Sequence, residues 1–308
     1  MTFADDERDL ERDQERDQDR ADPDPAEGDG QSLLPPHLSP SAASTYEQCP
    51  QRWRFRYVDR LPDPPGIPAL AGTFAHRVLE LLLQEAPERR TADTAKELAR
   101  VAWPETEADP DYQALALTDA EAREFRWRGW LAIEGLWAVE DPAGVVVEAT
   151  EHQVRTELGG VPFRGIVDRI DVDPSGGLVI TDYKSGRAPT PRFSADRLRQ
   201  VLLYAAAVAE LTGRQPKRAR LLYLGQKVVE VDVDSDNLGK AVGALGATWG
   251  SLSRSCDNDD FAPRPGPLCG WCPYVDRCAA GRAEVTLRHE AGVMRADAPA
   301  LVALAAAS

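Results

Sequence analysis

Two apolar stretches separated by a tight turn constrain this chain most. "VPFRGIVDRIDV" and "LVITDYK" are rich in strand-forming residues, and the turn residues "DPSGG" at 173–177 lie between them. The pattern predicts an antiparallel hairpin with Val172 opposite Leu178. Continuing that register sets Asp168 across from Asp182, with Cβ atoms roughly 4.5–5.5 Å apart. A one-residue slip of the turn would break this pairing.

The polar residues at the end of this hairpin suggest a functional site. Asp182 and Lys184 share one face of the second strand because strand side chains alternate. Two facing carboxylates repel unless a cation lies between them, and Mg²⁺ or Mn²⁺ prefers such oxygen ligands. Lys184 could then stabilise developing negative charge or orient a water. A solvated, ion-paired hairpin is the plainer alternative.

The order of elements predicts a mixed α/β protein. Helical patterns occupy the first half, beginning with Ser39 as an N-cap before Pro40, and strands follow from about residue 145. A helix at "FSADRLRQVLLYAAAVAELTG" then precedes a second hairpin. Helices followed by strands, a crossover helix and more strands indicate a sheet flanked by helices. Three tryptophans of the helical region are expected in its core: Trp127, Trp130 and Trp137.

Charge is concentrated at the N-terminus. The 308-residue chain has a net charge of −15, and residues 1–30 hold 13 acidic residues and 4 arginines. That composition predicts a disordered tail. The remaining charge neither supports nor excludes DNA binding, which needs only a local basic groove. No apolar run is long enough for a membrane span and no secretory signal is visible, so we expect a cytoplasmic protein without a membrane partner.

A compact cysteine loop, Cys269-x2-Cys272-x5-Cys278, predicts a metal site near the C-terminus. Three thiolates are one short of a closed site, so a fourth ligand must come from elsewhere in the chain. Spacing alone favours zinc.

Several motifs in one order resemble the PD-(D/E)XK nuclease superfamily, and more narrowly its RecB-family exonuclease domain, including the standalone CRISPR-associated iron–sulfur exonucleases. They are "LSPSAASTYEQCPQRWRFRYV", "GTFAH", "GIVDRID", "ITDYKSG", "QVLLY" and "CGWCPYVDRC". The resemblance implies a restriction-endonuclease-like α/β core, a central mixed sheet flanked by helices, with N-terminal helices and a C-terminal cysteine-cluster loop. The expected domains are an acidic tail at 1–36, the nuclease domain at 37–283 and a C-terminal tail at 284–308.

The resemblance also implies roles for the hairpin and its neighbours. His76, Asp168 and Asp182 become ligands of Mg²⁺ or Mn²⁺, together with the backbone carbonyl of Tyr183. Lys184 becomes the catalytic lysine. Without the resemblance, His76 would be interpreted as a satisfied helix histidine.

Two further residues match a Gln-x3-Tyr motif. Gln200 and Tyr204 lie four apart on one helical face, where they could contact DNA or support the site. Arg187 and Arg192 are expected phosphate contacts. Asp171 points away from Asp168 on a regular strand, and we expect it to pair with Arg169 or Arg187.

The family pattern adds an early cysteine to the late three, and Cys49 fills that place. Four thiolates suit zinc or a [4Fe–4S] cluster, and the resemblance favours the cluster, with zinc as the lesser alternative. Cys256 lies outside the pattern and is expected to be a free thiol.

The implied activity is a metal-dependent DNA exonuclease acting on single-stranded or frayed ends, in DNA repair, recombination or CRISPR adaptation. The implied partners are DNA and a helicase or CRISPR adaptation proteins. One alternative is a non-catalytic iron–sulfur DNA-binding subunit of a nuclease/helicase complex. Another is a zinc-stapled structural protein, which leaves the acidic hairpin unexplained.

Overall fold

The computed structural model describes residues 32–190 and 194–301. Nearly all of the predicted acidic tail, and Arg192, lie outside the described residues. The chain forms two compact units. Residues 64–244 belong to the first, the central unit, and residues 32–63 and 245–301 belong to the second, the terminal unit.

Helices occupy the first part of the described chain and strands follow, as the sequence predicts. In the described residues the α-helices are α1 Pro40–Gln48, α2 Pro50–Trp53, α3 Ile67–Gln84, α4 Ala92–Ala108, α5 Pro110–Ala114, α6 Asp119–Glu134, α7 Leu136–Val139, α8 Ser194–Thr212, α9 Ser235–Asn258 and α10 Ala279–Glu290. The strands are β1 Val146–Leu158, β2 Val161–Val172, β3 Leu178–Lys184, β4 Arg218–Tyr223 and β5 Lys227–Asp232.

The central unit is built on a five-stranded sheet in the order β1-β2-β3-β4-β5. Neighbouring strands are antiparallel except β3 and β4, which are parallel. A parallel pair needs a crossover connection, and α8 supplies it. The helix is followed by Gly213, whose φ of +67° lies in the left-handed region that glycine adopts at helix ends. The predicted mixed α/β fold with helices around a central sheet is confirmed.

Helix α3 packs against the sheet through an apolar stripe. Phe74, Val78 and Leu79 join a buried cluster that includes Tyr183 of β3 and Leu222 of β4. The repeat of these residues every three to four positions is the pattern of a helix with one buried face.

Helix α6 corrects one prediction about the tryptophans. Its buried residues are Phe125, Gly129 and Ile133, spaced four apart on one face. Gly129 packs so closely against α3 that a Cβ built there would lie 2.7 Å from the ring of Phe74. Trp127 is on the other side of the helix and is 54% exposed. Its assignment to the core is therefore wrong, whereas Trp130 and Trp137 are partly buried against the core.

The terminal unit combines two distant parts of the chain. Helix α1 begins with the predicted cap, since the Ser39 hydroxyl accepts a hydrogen bond from Ala42 N at 3.2 Å. Trp53 is 1% exposed and stacks on Phe261, with ring centroids 5.7 Å apart. The predicted end of the nuclease domain, residue 283, falls within α10.

Among the described helices, none is both long enough and apolar enough to cross a membrane.

Candidate functional site

The central hairpin has the predicted register. Its paired residues run from Val172↔Leu178 to Arg169↔Thr181, and Asp168 and Asp182 are the next residues on their strands. Both carboxylates are buried, with 2% and 3% of each residue exposed. Burying a carboxylate is costly unless it is paired, so each needs specific partners.

Asp168 is held by the neighbouring strand and by α3. Its Oδ2 accepts a hydrogen bond from the Tyr183 backbone N–H at 2.8 Å. The same oxygen lies 3.1 Å from Nδ1 of the buried His76. Helix α3 comes close to the end of β3, because a Cβ at Gly72 would lie 2.7 Å from Ser185 Oγ.

Asp182 and Lys184 form a connected group with α8. Lys184 Nζ lies 3.0 Å from Asp182 Oδ2 and donates to Gln200 Oε1 at 3.3 Å. Gln200 Nε2 donates to Asp182 Oδ1 at 3.4 Å and to Tyr204 Oη at 3.2 Å. The residues of the "DYK" and "QVLLY" segments are therefore brought together as the motif pattern implies.

Tyr204 supports this group from the core. It is 3% exposed. Burial, followed by the nearby charge of Asp182, raises the pKa of its phenol above the usual range, so the hydroxyl keeps its proton. This burial leaves almost no surface for the predicted contact with DNA and favours the supporting role instead.

Arg187 lies on an exposed loop after β3. Gln226 anchors this loop, accepting from Ala188 N at 2.9 Å and donating to the Gly186 carbonyl at 2.6 Å. The guanidinium is thus placed on an anchored, accessible segment, and its contact with phosphate stays a prediction.

The predicted metal ligands fit a hard divalent cation in kind. Two carboxylates, an imidazole and a backbone carbonyl are groups that Mg²⁺ or Mn²⁺ accepts. Within the described chain, no three His, Cys, Asp or Glu side chains are gathered closely enough to form a ready metal site. The carboxylates are held by their protein partners, so a bound cation would replace the direct contact between His76 and Asp168 and would share Asp182 with Lys184.

The four predicted cluster cysteines line one cavity of about 290 Å³ in the terminal unit. These residues are Cys49, Cys269, Cys272 and Cys278. Three of the sulfurs accept backbone N–H groups: Cys49 from Arg264 at 3.4 Å, Cys269 from Gly266 at 3.5 Å and Cys278 from Gly281 at 3.3 Å.

These contacts fit a thiolate-bound group. Backbone N–H donors stabilise negative charge on sulfur, and much of the remaining lining, such as Phe55, Pro267 and Val275, is apolar. Burial raises the pKa of the Cys272 thiol to about 11. A bound metal would offset this by stabilising the thiolate. Cys256 is buried in α9 and is not among the cavity residues.

Sequence reasoning missed a group of buried and partly buried charges beside the hairpin. The predicted pairing of Asp171 with Arg169 is confirmed, at 2.7 Å. Glu140 and Arg220 join them, at 2.8 Å from Arg169 and 2.9 Å from Asp171 respectively. The sequence feature that could have indicated this group is "RARLLYLG", in which Arg220 lies between two apolar residues of a predicted strand.

Glu151 marks local backbone strain beside Asp168. It lies on β1 between Thr150 and His152, which pair with Arg169 and Val167, and its φ is +45°. A left-handed conformation costs a non-glycine residue about 1–3 kcal/mol and is often found near functional sites. No role for Glu151 was predicted from the sequence.

Residues 37–279 match the family model of the PD-(D/E)XK nuclease superfamily, and the chain belongs to that superfamily. The prediction of this superfamily is confirmed.

Curated relatives and solved structures extend the comparison. The chain is 27% identical over 156 residues to one subunit of the ATP-dependent helicase/deoxyribonuclease of Streptococcus agalactiae, in three strains. The match covers 49% of this chain and only 14% of that protein. A crystal structure of a candidate exonuclease from Eubacterium rectale is 12% identical, with a TM-score of 0.41, covering 80% of this chain and 87% of the other.

Proposed function

We propose that the protein is a metal-dependent DNA exonuclease that hydrolyses phosphodiester bonds. The observation that carries this proposal is the position of Lys184. Its ammonium lies 3.0 Å from Asp182 and 3.3 Å from the amide of Gln200, at the end of the strand that also binds Asp168. A mostly buried lysine held against the buried carboxylate of Asp182 is costly for a purely structural hairpin.

Each residue of the site has a proposed task. His76, Asp168, Asp182 and the carbonyl of Tyr183 would hold Mg²⁺ or Mn²⁺. The bound cation supplies a polarised phosphate and a water of lowered pKa. Lys184 stabilises the negative charge that develops on the phosphate oxygens.

Gln200 fixes the catalytic lysine. Its carbonyl oxygen accepts from Lys184, and its amide nitrogen donates to Asp182 and Tyr204. The amide thus sets the distance between the two charged groups and limits the rotamers of the lysine. A residue that pre-orients a catalytic cation lowers the reorganisation needed during reaction.

DNA with single-stranded or frayed ends is the proposed substrate. The matched relative is a helicase/deoxyribonuclease subunit, and this supports both DNA as substrate and a helicase as partner. CRISPR adaptation proteins are a second proposed partner class. Arg187 and Arg192 would contact the phosphates. The proposed setting is DNA repair, recombination or CRISPR adaptation in the cytoplasm.

We also propose a [4Fe–4S] cluster bound by Cys49, Cys269, Cys272 and Cys278. The four cysteines line one cavity of about 290 Å³ whose lining is in large part apolar, which fits a thiolate-bound group, and the preference for the cluster over zinc rests on the motif resemblance. The role of the cluster would be structural, because it joins residues 220 positions apart in the chain.

A non-catalytic iron–sulfur DNA-binding subunit is the alternative. It requires no intact set of catalytic side chains. The connected Asp182, Lys184, Gln200 and Tyr204 group therefore favours an active enzyme.

The test is cleavage of end-labelled DNA by protein purified without oxygen. Linear single-stranded, linear double-stranded and circular single-stranded DNA are compared with Mg²⁺ or Mn²⁺. We expect the linear substrates to shorten from their ends and the circle to persist. Asp182→Asn should abolish cleavage, and Asp173→Asn, an acid-to-amide change in the hairpin turn, should leave it intact.

The outcomes separate the possibilities. Equal activity of the wild type and Asp182→Asn contradicts a nuclease at this site. Cutting of the circle at the rate of the linear strand shows an endonuclease. Visible absorbance together with bound iron and sulfide supports the cluster, whereas a colourless protein containing zinc contradicts it.

A further inference from the structure

A group of charged residues, two of them buried (Arg169 and Asp171) and two partly buried (Glu140 and Arg220), lies on the side of β3 away from its catalytic residues. Side chains alternate along the strand, so Thr181 and Tyr183 point opposite to Asp182 and Lys184. We call this group the back-face cluster. Its members are Glu140, Arg169, Asp171, Thr181, Tyr183 and Arg220.

Arg169 is the centre of the cluster and is completely buried. Its Nη1 donates to the Tyr183 phenol oxygen at 2.6 Å. Its Nε lies 2.7 Å from Asp171 Oδ1, and its Nη2 donates to Glu140 Oε2 at 2.8 Å. The guanidinium also lies over the Tyr183 ring, 5.3 Å from the centroid. Because the planar guanidinium of Arg169 has partners on several sides, these contacts hold it in one orientation.

Arg220 closes the cluster from β4. Its Nη2 donates to Glu140 Oε2 at 2.7 Å and to Asp171 Oδ2 at 2.9 Å, and its Nε donates to Thr181 Oγ1 at 2.8 Å. Two arginines thus balance two carboxylates. The cluster is electrically neutral and its carboxylates already have cations, so it is not a site for a metal.

Tyr183 links the back-face cluster to the proposed active site. Its phenol oxygen accepts from Arg169, while its backbone N–H donates to Asp168 Oδ2 at 2.8 Å. Its ring also packs edge-on against His76, with centroids 5.6 Å apart. A shift of this one residue would therefore reach two of the three side-chain ligands proposed for the cation.

We propose that Arg169 is a positioning residue for the metal site. By fixing the Tyr183 ring, it fixes the peptide whose N–H holds Asp168 and whose carbonyl completes the ligand set. This inference rests on the proposed function, since it assigns a role within the same site. An apolar core would stabilise the strand equally well, and a buried ion group is weak evidence for stability alone. A positioning role explains why Arg169 donates to Tyr183, because Tyr183 contacts the proposed ligands Asp168 and His76.

The experiment measures Mn²⁺ binding without DNA, by the electron paramagnetic resonance signal of the free ion, and then DNA cleavage as a function of Mn²⁺ concentration. Tyr183→Phe removes only the phenol oxygen and keeps the ring and backbone. We expect it to weaken Mn²⁺ binding several-fold and to raise the half-saturating Mn²⁺ concentration for cleavage by the same factor. Arg169→Met should weaken binding about tenfold or more.

Arg90→Met is the matched control. Arg90 is a second buried arginine of the central unit, 8% exposed, and its hydrogen bonds go to the backbone carbonyls of Glu85, Pro142 and Val145. We expect this variant to lose thermal stability while its Mn²⁺ affinity stays that of the wild type.

Unchanged Mn²⁺ affinity in folded Tyr183→Phe overturns the inference, as does an equal loss in Arg90→Met. A wild type that binds Mn²⁺ but cuts no DNA overturns the proposed function and leaves the affinity comparison to decide on Arg169. A wild type that binds no Mn²⁺ and cuts no DNA overturns both.

Discussion

Gly165 on β2 and Tyr204 on α8 lie so close that only glycine fits at this position of the strand. A Cβ built on Gly165 would be 2.5 Å from Cε1 of the tyrosine ring. The glycine therefore lets α8 approach the sheet and places the tyrosine hydroxyl within 3.2 Å of Gln200.

Gly165→Ala should reduce cleavage at least tenfold and lower the free energy of unfolding by about 1–3 kcal/mol, because the added methyl group overpacks the helix–sheet contact. Urea unfolding and a DNA cleavage assay measure the two effects. Gly243→Ala is the control. Gly243 lies in helix α9, and a Cβ built there would have no neighbouring atom within 4 Å apart from the nearby backbone of the helix itself. This variant should keep activity and gain about 0.5–1 kcal/mol. Equal behaviour of the two variants would refute the packing argument.

Lys184→Met should reduce kcat by about 10²–10³-fold while the fold is kept, because it removes the cation that faces the developing charge but retains most of the side-chain volume. Single-turnover cleavage at saturating DNA measures the chemical step. Lys240→Met serves as the control: this lysine pairs with Asp236 on the surface of α9. A loss below threefold in Lys184→Met would remove the lysine from the proposed mechanism.

Cys278→Ala should abolish iron and sulfide binding and lower the free energy of unfolding by about 3–5 kcal/mol, because the proposed cluster would no longer close the loop from Cys49. Metal analysis and denaturant unfolding without oxygen provide the measurements. Cys256→Ala, a change of a buried thiol in α9, should retain the metal. Retention of iron in Cys278→Ala would exclude this cysteine as a ligand.

The turn of the central hairpin predicts a pH dependence of stability. The pKa of Asp173 is lowered to about 2, first by the Ser175 hydroxyl at 2.6 Å and next by the Gly177 N–H at 2.8 Å. Because the folded pKa is below the usual value of about 3.9, the stabilisation is complete above that value. It is lost as the pH falls from about 4 through 2.

Unfolding of the wild type and Asp173→Asn from pH 5 to pH 2.5 tests this. The wild type should be the more stable at pH 5, and the difference should shrink steadily as the carboxylate is protonated. A difference that stays constant over this range would contradict the lowered pKa.

The hairpin was predictable because local chemistry determined it. The turn residues and the strand alternation set Val172 opposite Leu178, and every pair as far as Arg169↔Thr181 follows from that start. The motif order then grouped Lys184 with Gln200, which the helical spacing to Tyr204 reinforced.

The back-face cluster was not predictable in the same way. Arg220 contacts Asp171 although the two residues are 49 positions apart, and no local pattern in the sequence indicates which arginine pairs with which carboxylate. The prediction that Trp127 lies in the core was wrong for a simpler reason. The buried face of α6 is set by Phe125, Gly129 and Ile133, and a residue two positions after Phe125 lies on the opposite side of the helix.

The lining of the cysteine cavity comes from two segments of the chain, residues 48–55 and 263–281, that are synthesised at different times. Cys49 leaves the ribosome 220 residues before Cys269. At about 5–20 residues per second, roughly 10–45 s pass between them. The whole of the central unit is translated in that interval, so the nascent sheet and its Asp168–Asp182 end can be complete before the last three sulfurs exist. Assembly of the proposed metallocentre would consequently come after synthesis of the central unit.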